Sequence, residues 1–136
     1  MIKYQSGYKY QLVEFYKHQL PAEFIPKTTF ETPFLRLDTS ALLTIRYGYA
    51  WDGPSGPTID TKNFMRGSLV HDAIAQLMRM GLIPQSLRKE SDKELRKVCL
   101  EDGMSKIRAW WVYKGVRLGG GPSSSPKNKR KVLIAP

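Results

Sequence analysis

The spacing of apolar residues changes once along this chain, near residue 60. Upstream, Tyr8, Tyr10 and Leu12 alternate with polar residues, and Pro21 and Pro26 interrupt the stretch beyond them. Period two with breakers is the pattern of short strands. Alternation is cleanest from Leu43 to Trp51, where Leu43, Ile45, Tyr47, Tyr49 and Trp51 would share one face of a strand. A small antiparallel sheet over residues 1–51 is the expectation.

That strand runs into Asp52-Gly53-Pro54-Ser55-Gly56-Pro57, too rich in Gly and Pro for helix or ladder, and predicts a rigid loop with exposed carbonyls. Beyond it the period becomes helical. Asn63 can cap a helix running to about Met80, stopped by Gly81 with Pro84 beyond, and Val70, Ala73, Ile74 and Leu77 form its apolar stripe. A second helix should begin at Ser86 or Ser91, since Ser91 and Glu94 have capping-box spacing, and close at Gly103. A third, from about Ser105, carries Ile107, Trp110, Trp111 and Leu118 on one side. After it, Gly119-Gly-Gly-Pro-Ser-Ser-Ser-Pro126 leads into Lys127, Lys129, Arg130 and Lys131, the composition of a tail. The predicted class is therefore α+β. A single domain, residues 1–118, packs a small N-terminal antiparallel sheet (1–51) on a pair or trio of helices (63–118). An extended basic tail follows over 119–136.

Charge narrows the partners. Twenty-two Lys and Arg against twelve Asp and Glu give 136 residues a net +10, which suits nucleic acid, an anionic membrane or an acidic protein. A single cysteine, Cys99, excludes an intrachain disulfide; its helical spacing from Leu95 reads as a buried thiol. No apolar run is long enough to span a membrane and the N-terminus lacks the stretch of a signal peptide. A reducing cytoplasm is the expected setting.

Four residues could carry chemistry. His71 lies on a strip with Phe64, Ile74 and Met78, where a histidine is ordinarily a core residue satisfied by one hydrogen bond. Asp92 changes that. It shares the buried face of the second helix with Leu95 and Cys99, and a buried carboxylate needs a partner. The short link from Gly81 to Gln85 makes the two helices antiparallel neighbours, so Asp92 can reach His71, fix its tautomer and support it as a base. Asp72 points about 100° away around the helix. With Asp52 and the loop carbonyls it offers the hard oxygen ligands that suit Ca²⁺.

Trp51-Asp52-Gly53-Pro54-Ser55-Gly56-Pro57, then Val70-His71-Asp72, then Arg88, Ser91-Asp92 and Leu95 resemble the phage and prophage domain-of-unknown-function family 1353. The resemblance covers roughly residues 45–105 and implies a phage setting, with Trp51, Gly53, Ser55 and Pro57 as loop and support residues. The same residues are similar to the small bacterial and fungal secreted phospholipases A2. That likeness implies His71 activating water, Asp92 pairing with it, and Asp52 and Asp72 binding Ca²⁺. Both families usually carry Tyr shortly after His-Asp; here Ala73-Ile74-Ala75 follow.

Three functional expectations result. One is a virion-associated structural or assembly protein of the tail or baseplate. It would retain the phospholipase A2-like site, dock on other phage proteins through Lys127, Lys129, Arg130 and Lys131, and pass from host cytoplasm into the virion. The alternative is a Ca²⁺-dependent phospholipase or ester hydrolase acting on the bacterial envelope, drawn to anionic membrane by its charge. Nucleic-acid binding through the basic cluster is the third, without a recognisable motif to support it.

Overall fold

The run from Leu43 to Trp51 does not form one strand. In the computed structural model, which describes residues 2, 4–5, 10–51 and 62–119, it is cut in two. Strand β6 covers Leu42–Ile45 and β7 covers Ala50–Trp51. Between them the chain turns at Gly48, whose φ of 94° lies in the left-handed region open to glycine. The turn is tied by Tyr49 N–H to the Arg46 carbonyl at 3.2 Å. Leu43, Ile45, Tyr49 and Trp51 are buried as the alternation predicted, but Tyr47, at the turn, is 67% exposed.

The break separates two small antiparallel sheets. With β1 (Tyr4–Gln5) and β2 (Tyr10–Leu12), β7 completes a sheet of order β1-β2-β7. With β3 (Tyr16–Gln19), β4 (Phe30–Glu31) and β5 (Leu35–Leu37), β6 makes a sheet of order β3-β6-β5-β4. Leu35, Leu37, Leu43 and Ile45 supply its buried face, with Leu37 opposite Leu43 and Leu35 opposite Ile45. Asp38 shapes the β5–β6 turn. Its Oδ1 accepts from Ser40 N–H, Ser40 Oγ and Leu42 N–H at 2.7–3.0 Å, and these bonds hold its carboxyl below the ordinary 3.8.

The other compact unit of the chain is helical. Helix α1 spans Lys62–Arg79, α2 spans Arg88–Glu101 and α3 spans Lys106–Gly119, so the fold is α+β. The expected stops hold. Gly81 and Gly103 take φ of 76° and 94°, and Leu82 and Met104 donate back to the carbonyls of Leu77 and Cys99, both at 3.0 Å, closing both helices with the six-to-one bond of a Schellman cap. Ser105 caps α3 by accepting Arg108 N–H at 3.2 Å.

Of the two expected starts of α2, Ser86 lies in the turn that leads into the helix and Ser91 does not hold. Ser91 is not a cap; it is a buried residue one turn inside the helix. A 3₁₀ turn over Gln85–Leu87 feeds α2 directly, so the chain is already helical before Ser91 and the Ser91–Glu94 spacing has no free end to serve.

Helix α2 packs against both α1 and α3. Phe64, Leu95, Cys99, Met104, Ala109 and Val112 form a core drawn from all three helices. The α1–α2 seam is tight at Gly67, where a Cβ would lie 2.9 Å from both Cys99 Sγ and a Leu95 methyl. Arg66 clamps the same end of the seam, bonding Asp102 through Nε at 3.0 Å and Glu101 through Nη2 at 2.9 Å. Among the described residues, no helix is long and apolar enough to cross a membrane.

Candidate functional site

Because α1 and α2 run antiparallel, positions pair in reverse order along their seam. Arg66 meets Asp102, Gly67 meets Leu95 and Cys99, and His71 meets Asp92. His71 Nε2 lies 2.7 Å from Asp92 Oδ1. The structure thus brings together the two residues whose pairing the sequence predicted across twenty-one positions.

The bond defines the imidazole. A carboxylate can only accept, so Nε2 carries the hydrogen and donates it. In the neutral ring Nδ1 is then the unprotonated nitrogen, and it has no hydrogen-bond partner among the described residues. An imidazole held this way, with one nitrogen anchored and the other bare, can take a proton from water or a hydroxyl. The ring is part-buried at the surface of α1, whereas Asp92 is only 1% exposed.

The second oxygen of Asp92 has a partner that helical spacing did not reveal. Arg117 of α3 places Nη1 2.9 Å from Asp92 Oδ2. Each carboxylate oxygen therefore has its own donor, and the three residues come one from each helix. The signal was present in Asp92 itself, since a buried carboxylate with one partner is half satisfied and calls for a second donor. What hid Arg117 was its place among four cations on α3. Arg88, at the first position of α2, fixes the far side by donating Nη2 to the carbonyls of Arg117 and Val116 at 2.5 and 3.3 Å. A cation at the last turn of α3 also suits the negative end of that helix.

Of the proposed Ca²⁺ ligands, Asp72 is described: it is half-buried on α1, next to His71 in sequence. Asp52 and the loop residues Gly53, Ser55 and Pro57 lie outside the described residues, as do Lys127, Lys129, Arg130 and Lys131. Among the described residues, no group of three or more His, Cys, Asp or Glu side chains could hold a metal ion. Trp51 belongs to β7, where it is buried with its ring 5.7 Å from that of Tyr10.

Cys99 takes no part in chemistry of this kind. It is fully buried in the helical core. Burial, and then the negative charge of Asp102, push its thiol from the ordinary 9.0 up to about 12, the opposite of what a nucleophile needs.

Neither a family model, nor a curated protein, nor a solved structure matches the chain.

Proposed function

We propose that this chain is a bacteriophage structural or assembly protein, of the tail or baseplate, that retains a phospholipase A2-like His/Asp site within its helical scaffold. The observation that supports it is the Arg117–Asp92 ion pair at 2.9 Å. In a catalytic dyad the carboxylate's charge serves to stabilise the imidazolium. Here a guanidinium already draws on that charge, and the network's main effect is to join three helices through one buried group. The phage setting rests on the resemblance of the Trp51–Pro57, Val70–Asp72 and Ser91–Asp92 strings. The tail cations Lys127, Lys129, Arg130 and Lys131 would dock along acidic surfaces of neighbouring subunits of a larger assembly. Mass spectrometry of purified particles of the encoding phage tests this. The polypeptide is expected at a copy number matching a virion component, and its absence from particles overturns the proposal.

A second reading, a Ca²⁺-dependent phospholipase or ester hydrolase, is favoured by Nδ1 of His71, which has no hydrogen-bond partner among the described residues. His71 would take a proton from water while Asp92 holds the ring. Asp72, Asp52 and the loop carbonyls would hold Ca²⁺, which when bound polarises a carbonyl as a Lewis acid. Fatty-acid release from phospholipid vesicles, measured with Ca²⁺ and with chelator, separates the two. Release no greater than that of His71→Ala fits the structural role; Ca²⁺-dependent release lost in that variant establishes the enzyme.

A further inference from the structure

The geometry points to the outer face of α3 as a docking surface for an anionic phospholipid bilayer. Helix α3 is apolar on two sides. Ala109 and Val112 face the core. At about 100° per residue, Ile107, Trp110, Trp111, Lys114 and Leu118 fall within one arc of about 100° on the other side. Nothing in the described chain covers that arc: Ile107 is 75%, Trp111 64% and Leu118 88% exposed.

Three features select the occupant. The fourteen residues of α3 include four cations and no acidic residue; Arg117 is taken up by Asp92 of α2, and the helix still carries a positive balance that favours a negative surface. Lys114, in the middle of the apolar arc, sets Nζ 5.5 Å from the centre of the Trp110 ring, so its stem lies along the indole while its charge can reach outward. Beside the arc, a groove of about 500 Å³ is lined by Lys93, Arg96 and Lys97 of α2 and by Tyr113, one turn on from Trp110. Glu101, also on the groove, is already paired with Arg66; Lys97 lies 3.8 Å from Glu94 and Arg96 lies over the Tyr113 ring, and positive charge still predominates at a space that a phosphate headgroup could enter.

An interfacial helix combines such parts: aliphatic and tryptophan side chains to enter the acyl boundary, and lysine and arginine to meet the headgroups. Single-stranded nucleic acid would also use cations and aromatic rings. It would leave Ile107 and Leu118 without an apolar partner, and hydrocarbon supplies one. The surface needs neither His71 nor Asp92, so this inference stands whether or not the site is active.

The test uses the full chain with vesicles of phosphatidylglycerol and phosphatidylcholine, against vesicles of phosphatidylcholine alone. Co-sedimentation and tryptophan emission are the readouts. Binding to anionic vesicles with a blue-shifted emission is expected, with little binding to neutral ones. The triple variant Ile107→Ser, Trp111→Ser, Leu118→Ser should weaken binding ~10-fold or more. Its circular dichroism should match the parent because all three side chains are exposed. Leu118→Ser alone, at the most exposed position, should weaken binding measurably in a chain that melts as the parent does. Absence of anionic-vesicle binding at low salt overturns the inference, and so does binding indifferent to both variants. Oligonucleotide binding without vesicle binding, or self-association abolished by the triple variant, overturns it in favour of another occupant.

Discussion

A carboxylate as buried as Asp92 is tolerated when both oxygens have donors, and here they come from two different helices. The partners are not equivalent. Asp92 is enclosed, while the Arg117 side chain is 30% exposed and can hydrate if its partner is lost. Removing Arg117 strands a buried charge; removing the charge of Asp92 strands a group near water. Arg117→Met should therefore lower the unfolding free energy by about 2–3 kcal/mol, somewhat below the cost of breaking a fully buried pair. Asp92→Asn, which keeps an oxygen to accept from Arg117, should cost less. Urea denaturation gives both numbers, and equal losses would contradict the asymmetry.

Cys99 supplies a second prediction at this scale. With its folded value raised to about 12 from 9.0, the neutral thiol's contribution is complete below the unfolded value. It is lost as pH rises through the folded one. At pH 8, iodoacetamide should label Cys99 only as fast as the chain opens, and labelling should become rapid in denaturant. Rapid native labelling would show that the thiol is not where the core places it.

His71 and Asp92 were readable from spacing because two helical periods and a short link determine which faces meet. Arg117 was not, because its partner depends on how α3 returns across α2, and nothing local encodes that return. The loop residues Asp52, Gly53, Ser55 and Pro57 lie outside the described residues, so their proposed role rests on the motif.

Among the elements, helices were more legible than strands for a physical reason. A helix has local stop chemistry, and Gly81 and Gly103 act where they were expected to, whereas the expected starts Asn63 and Ser91 lie inside α1 and α2. The alternation from Leu43 to Trp51 is compatible with one strand or with two. Gly48 decides for two by bending the chain between sheets. Helical propensity likewise says nothing about approach distance, yet α1 and α2 meet tightly at a glycine, Gly67. Gly67→Ala gains about 1 kcal/mol of helix propensity. The added methyl meets Leu95 and Cys99 at 2.9 Å, in a seam where overpacking costs about 1–3 kcal/mol. The net effect should be a loss of up to ~2 kcal/mol, measured as a lower thermal midpoint. A stabilised variant would show that the seam can open without cost.

On the scale of the whole molecule, charge and chemistry occupy different places. The net +10 is spread over the chain, and the cations of α2 and α3 border an apolar face. The buried network uses just one anion to satisfy a histidine and an arginine. Composition suits an anionic partner but carries no position for one, because charge counts are not located. The position proposed for it rests on exposure, which leaves Ile107, Trp111 and Leu118 outward on a helix without acids. The most direct test of the site itself is nitrogen NMR of the two histidines in the full chain with the rings neutral, His71 being assigned by the loss of its signals in His71→Ala. His71 should show a protonated Nε2 and an unprotonated Nδ1, and Asp92→Asn should weaken that preference. A ring with the hydrogen on Nδ1 would contradict the His71–Asp92 bond and the function built on it.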